Sequence, residues 1–356
     1  MNAITQSRLR MGIVPFCRPV AGHLTVSLLL VTLCSGLLVA SAVAQMPPPV
    51  ATQEAQPPIV EPPVLTGTPA LPIELSGLDL ETRDHVQLSA TFYPGFQHQD
   101  TIPIILLHDY KGSRLDFEEL ARDLVAKGYA LMMPDLRGHG ESTTQRIQHP
   151  RTGAIIETEI DADDFGPADF QKMRALDMQV LRRYLIEQNN AGKLNLNRLV
   201  LVGAGTGANI AMEWTITDWM SAPNYPGIKQ SCDVKGIALL SPNWSARGFR
   251  PMEAVQHPVL QDHVAIFIGV GKQGSGSSDA DRILRMLRGP TARGESEDNR
   301  IQLFEYDTAK QAEELTKDPR IPFSDHLVQF INSQVVEGFP EAAWVEHHTS
   351  STRPAE

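Results

Sequence analysis

The sequence predicts an α/β protein: a mostly parallel central sheet with helices on both faces and an antiparallel hairpin at its N-terminal edge. Three observations carry this. Short, mainly apolar runs recur at residues 102–107, 129–133, 198–202, 234–240 and 263–270. Strands apolar on both sides belong to sheets buried on both faces, which is the parallel arrangement. Between them, residues 115–127, 168–188 and 206–219 repeat their apolar positions at helical spacing. Glycines and other small residues cluster where strands hand over to the next segment, as tight turns require.

The elements follow in order. Residues 73–80 and 86–93 alternate apolar and polar around Glu81-Thr82-Arg83-Asp84-His85, the pattern of an edge hairpin. The apolar strand 102–107 comes next, then a helix over 115–127 that stops at Gly128, then the strand 129–133. The chain leaves that strand through Pro134-Asp135-Leu136-Arg137-Gly138-His139-Gly140-Glu141-Ser142. Gly138 and Gly140 permit the turning, and Asp135, Arg137 and Ser142 carry side chains able to tie such a loop together. Residues 143–167 form an irregular excursion with a short strand at 155–159 and an acidic group, Asp161, Asp163 and Asp164. Their spacing is not that of a calcium loop and no metal site is expected anywhere in the chain, nor any cofactor. A helix over 168–188, the strand 198–202, a helix over 206–219 and the strands 234–240 and 263–270 follow. Asp279 opens a helix that runs to 287, residues 299–306 form the last strand and 322–336 the last helix. The globular domain therefore covers residues 73–337, and 338–356 read as a loose C-terminal tail.

The chain ahead of that domain is of another kind. Arg8, Arg10 and Arg18 precede an apolar stretch from 24 to 44 that ends in Ala42-Val43-Ala44, the pattern of a cleaved signal peptide. The stretch is also nearly long enough to stay in a membrane as a signal anchor. Residues 1–44 are thus an export segment, and the expected location is exported: periplasmic, cell-envelope or secreted. Residues 45–72 are rich in Pro, Gln, Glu and Thr and form an extended linker. Cys17 and Cys34 lie in the export segment, which leaves Cys232 without a disulfide partner in the exported chain. The formal charge of −11 comes without a basic block, which argues against nucleic acid as a partner. Expected partners are a small ligand or an envelope protein, with the membrane reached only through an uncleaved N-terminal segment.

The centre of the domain is Leu199-Val200-Leu201-Val202-Gly203-Ala204-Gly205-Thr206-Gly207. A buried strand, a run of small residues and a helix make the strand–turn–helix of a nucleophile elbow, G-x-S-x-G. The frame is Gly203-x-Gly205-x-Gly207, so the slot for the attacking side chain holds Gly205.

Together Leu107-His108-Asp109, the loop from Asp135 to Ser142, Gly203-Ala204-Gly205-Thr206-Gly207 and Ser241-Pro242 resemble the α/β-hydrolase superfamily, in its esterase, lipase and serine-aminopeptidase branches. The resemblance implies the α/β-hydrolase fold and acyl transfer by a serine, an acid and a histidine in that chain order. Tested slot by slot, this sequence departs from it. The nucleophile slot is Gly205, with Thr206 beside it. The acid slot, after the strand ending at Val270, holds glycines and serines, with Asp279 the first carboxylate. The histidine slot, residues 307–315, contains no histidine, and His326 falls in the last helix. The oxyanion loop reads His108-Asp109-Tyr110: the Tyr110 N–H is a usable donor, but Asp109 brings negative charge beside the place where an oxyanion develops. The leading expectation is a hydrolase fold retained without acyl transfer, its cleft lined by His108, Asp109, Tyr110, Gly205 and Thr206 and kept for binding. The alternatives are an ester or peptide hydrolase using Thr206, with His108, Asp109, Asp135, Asp279 and His326 as acid–base groups, and an envelope scaffold.

Overall fold

The computed structural model describes residues 71–221, 229–289 and 299–348. Residues 1–70, which hold the expected export segment and most of the expected linker, lie outside the described residues. Among the described residues, eleven strands fall into two sheets. The large one has the order β1 (Ile73–Leu75), β3 (Ala90–Tyr93), β5 (Ala130–Pro134), β4 (Pro103–Leu107), β8 (Leu199–Ala204), β9 (Val234–Leu240), β10 (Ala265–Gly271), β11 (Ile301–Tyr306). From β5 to β11 every pair is parallel; β1 and β3 add antiparallel at one edge.

Strand periodicity builds two cores from one sheet. In β4, Ile105 and Leu107 face one core while Ile104 and Leu106 face the other; in β8, Leu199 and Leu201 oppose Val200 and Val202 in the same way. The first core is closed by α3 (Met178–Asn190), α4 (Thr206–Met220) and α6 (Ser277–Arg288), through Leu181, Trp214 and Ile283. The second is closed by α1 (Glu118–Ala126) and α7 (Phe323–Phe330), through Leu124 and Phe330. Two shorter helices, α2 (Pro167–Lys172) and α5 (Pro251–Val255), lie in the excursions after β7 (Ile155–Glu159) and β9.

Four details differ from expectation. The edge hairpin is real but shorter: Ile73 pairs with Phe92 and Leu75 with Ala90, while residues 77–80 wind into a turn. Val86–Gln87 (β2) leaves for a second, three-stranded sheet with β6 (Thr144–Gln148) and β7 (Ile155–Glu159). The long helix expected at 168–188 is broken by a wide π turn, Met173–Asp177. Finally, the chain beyond 337 is tied to the domain as far as His348: side-chain amides of Asn195 and Asn197 donate to Ala342 O and Ala343 O, and His347 is buried.

The loop after β5 is locked as its side chains suggested. Asp135 is buried and accepts from Arg114 N (2.7 Å) and Glu141 N (2.9 Å), and its carboxylate also pairs with the Arg114 guanidinium. Gly140 has φ +52, and a Cβ there would overlap that carboxylate, so the position excludes other residues twice over. Gly138 N donates to Ser142 O, and the Ser142 hydroxyl joins Asp135 O to Ser89 N. Arg137 grips Asp177 at 2.5–3.0 Å and Asp84 at 2.8 and 3.1 Å, joining the loop to the π turn and to the start of β2.

Candidate functional site

β8 runs straight into Gly205, whose φ of +48 and ψ of −107 make the abrupt bend from which α4 starts at Thr206. Gly203 and Gly207 let the strand and helix cross: a Cβ on either would strike backbone, that of Gly207 or of Leu107. The apex is not open space. A Cβ on Gly205 would fall closer than 3.0 Å to the carboxyl carbon and to both oxygens of Asp109. The Asp109 carboxylate, reaching over from the end of β4, occupies the room where a side chain at 205 would begin.

Its hydrogen bonds explain why it stays there. Asp109 Oδ1 accepts from Tyr110 N at 2.7 Å and from Thr206 N at 2.6 Å. The second donor belongs to the first residue of the 15-residue helix α4, where free N–H groups and the helix dipole favour an anion. In acyl transfer, N–H groups at the elbow and on the β4 loop receive the developing oxyanion. Here the protein's own carboxylate is the anion they bind.

A second carboxyl stands behind it. Asp109 N donates to Glu313 Oε1 at 2.5 Å, and Glu313 is 9 % exposed. Burial pushes the Glu313 carboxyl up, and the Asp109 N–H opposes this. Glu313 lies in the turn after β11. Two residues earlier, Gln311 joins three segments at the strand ends: its Oε1 accepts from the Ser241 hydroxyl (2.8 Å) and its Nε2 donates to Gly271 O (2.9 Å). A Cβ on Gly274 or Gly276 would overlap the same amide, so the glycine-rich loop after β10 is shaped around Gln311.

His108 faces the other way. Its Nδ1 lies 2.7 Å from Asp109 O, and its Nε2 accepts from Leu136 N at 2.9 Å, which fixes the neutral Nδ1–H form. Burial brings its pKa down to about 4. His108 is a clamp between the ends of β4 and β5, and the neighbouring His139 ring, 5.1 Å away, is lowered by burial as well. Because the folded pKa is depressed, the stability from His108 is whole above pH 6.5 and is lost as the pH falls towards 4. The shift corresponds to about 3 kcal/mol. Urea unfolding at pH 7.5 and pH 4.5 measures it, and His108→Gln should flatten the difference while lowering stability at pH 7.5.

Tyr110 forms the rim. Its ring packs edge-on against His139, its hydroxyl donates to Asp163 Oδ1 at 2.6 Å, and the Arg247 guanidinium lies 5.1 Å over its ring. It thereby laces the β4 loop to the excursions after β7 and β9. Of the acidic group, Asp163 pairs with Lys111 as well as Tyr110, and Asp161 caps its own turn by accepting from Asp163 N.

Residues 100–323, well over half of the chain, match the family model described as serine aminopeptidase, S33. The chain belongs to this family of α/β-hydrolases. A search of the curated proteins finds no match. Among solved structures, one of two fungal esterases from Rhizomucor miehei aligns over 80 % of this chain and 89 % of its own, at 12 % identity and a TM-score of 0.52, a likeness of fold. An esterase from Pyrococcus furiosus aligns over 77 % of this chain and 100 % of its own at 16 % identity and a TM-score of 0.48. An esterase from Exiguobacterium antarcticum aligns over 73 % and 100 % at 15 % identity and 0.47.

In this S33 family member the remaining candidates are dispersed. Asp279 lies in the first turn of α6 and accepts from Trp244 N at 2.9 Å, fastening the chain after β9. His326 sits on α7 with Nδ1 3.2 Å from the Tyr306 hydroxyl and its ring beside Phe304, and burial lowers its pKa. Thr206 is buried and reaches the site through its N–H. Sequence reasoning missed Glu313 and Gln311; the available signal was their place, after the last strand, in the segment searched only for histidine.

Proposed function

We propose that this S33 family member is an exported protein whose α/β-hydrolase fold no longer performs acyl transfer and is kept for binding a ligand or protein of the cell envelope. One observation carries the reading: the Asp109 carboxylate holds the two N–H groups an oxyanion would need and fills the space of the missing nucleophile. The other slots are consistent with it, since Gln311 and Glu313 take up the turn after β11 with amide and carboxyl groups already bonded to the framework. Thr206 gains no support as a replacement nucleophile, because among the described residues no histidine or carboxylate is hydrogen-bonded to its hydroxyl, and only its N–H engages Asp109. The Ala42-Val43-Ala44 pattern and the proline-rich 45–72 segment support export and a spacer ahead of the domain.

The purified protein is expected to leave p-nitrophenyl acetate and butyrate unhydrolysed above the rate in buffer and to take up no fluorophosphonate label. Turnover that disappears in Thr206→Ala would overturn the reading in favour of a displaced nucleophile.

A further inference from the structure

At the end of the sheet opposite the elbow, residues 342–347 cross the domain as an extended band. The band's own side chains are mostly exposed: Ala342 and His347 alone are buried, at 1 % and 3 % exposure, while Val345 is 36 % exposed. What holds it is a set of asparagine side chains reading its backbone. Asn195 Nδ2 donates to Ala342 O at 3.0 Å, Asn197 Nδ2 to Ala343 O at 3.0 Å and Asn189 Nδ2 to Val345 O at 2.9 Å. Asn190 closes a two-way pair with His347, donating to its O at 2.8 Å and accepting from its N at 2.9 Å. Trp344 Nε1 returns a bond to Asn189 O at 3.1 Å. At the far end His347 enters a sealed pocket, its Nε2 2.8 Å from Asp233 Oδ1, with both side chains fully buried. Asp233 is fixed there by Arg182 at 2.5 Å and by Lys229 at 3.3 Å.

This is how a protein binds a peptide: main-chain bonds along an extended segment, with one side-chain pocket for selection. Nothing in the elbow chemistry uses it. We propose that the surface made by Asn189, Asn190, Asn195, Asn197 and Asp233 is a peptide-recognition site. Its occupant in the monomer is the chain's own band, and its partner between molecules is the same segment of a second copy of this chain. The ligand class is an extended peptide with small residues, then tryptophan, then histidine three residues later, as in Ala342-Ala343-Trp344-Val345-Glu346-His347. Exchange is favoured by the layout. The band follows the helical turn Ile331–Val336 through Glu337-Gly338-Phe339-Pro340, and of its own side chains only Ala342 and His347 are buried, so detaching it exposes no hydrophobic face of the band.

The test uses a fluorescein-labelled peptide of residues 339–348 and three proteins: the full chain, a variant ending at Gly338, and full-length His347→Ala. The variant ending at Gly338 should bind the peptide saturably, with affinity falling at least about tenfold when the peptide's histidine is replaced by alanine. The full chain should bind it roughly 100-fold more weakly, because its tethered band competes at millimolar effective concentration. Full-length His347→Ala, whose band has lost its anchor, should take the peptide up again, which keeps the test decisive if the shortened chain does not fold. No uptake by His347→Ala and by a cooperatively melting shortened chain overturns the proposal. So does equal binding of a scrambled peptide.

Discussion

Gly205→Ser, which returns a hydroxyl to the apex of the bend, is expected to destabilise the protein by about 3 kcal/mol and to restore no turnover. Two effects add. A non-glycine residue at φ +48 and ψ −107 carries strain of roughly 1–3 kcal/mol. Its Cβ also meets the Asp109 carboxylate, and forcing such an overlap costs a further 1–3 kcal/mol or so. Asp109→Gly alone leaves the N–H groups of Tyr110 and Thr206 without their acceptor, at about 1–3 kcal/mol. The two changes together should cost less than their sum, because the second removes what the first collides with. A coupling of about 1–3 kcal/mol is expected from urea unfolding of the four proteins. Additive losses would mean that Asp109 is not where the serine side chain must go.

The second large effect is expected at Arg137. Asp177 is fully buried beside it, and burial holds its carboxyl up at about 6, with the Arg137 guanidinium pulling it back, so both are charged at neutral pH. Arg137→Met removes every guanidinium bond to Asp177 and Asp84 and leaves a buried carboxylate without its partner. Breaking one side of a buried pair costs about 3–5 kcal/mol. Thermal unfolding should fall by roughly 10 °C. Arg137→Met combined with Asp177→Leu should recover much of it, since the uncompensated charge is then gone too. A single-variant loss below about 1 kcal/mol would show that the loop after β5 is held by the Asp135 and Ser142 bonds alone.

The fold was legible wherever burial set the pattern. β4, β8, β9 and β10 are buried along their whole length, and their apolar runs announced them. β6 was not legible because Thr144-Gln145-Arg146-Ile147-Gln148 faces no core: it is a half-exposed ribbon whose partners are β2 and β7. The π turn at Met173–Asp177 leaves no mark on helical spacing long enough to register. The C-terminal band escaped for a different reason. Its bonds come from asparagines about 150 residues earlier, and local composition says nothing of such pairings.

At the elbow the glycine frame and the bare slot at 205 were readable, as was the negative charge beside it. What the sequence could not convey is direction. The Asp109 carboxylate is turned toward the bend, where its Oδ1 accepts from both Tyr110 N and Thr206 N. Likewise the segment after β11 was read for a missing histidine, while Gln311 and Glu313 were already bonded into that space.

The most direct test of the Asp109 assignment is the pair of backbone amide resonances of Tyr110 and Thr206 in an NMR spectrum of the folded protein. Both should lie downfield, as amides donating to a carboxylate do, and both should move upfield in Asp109→Ala and return when acetate is added. Amide positions that ignore the Asp109→Ala change would contradict a carboxylate seated on those two N–H groups.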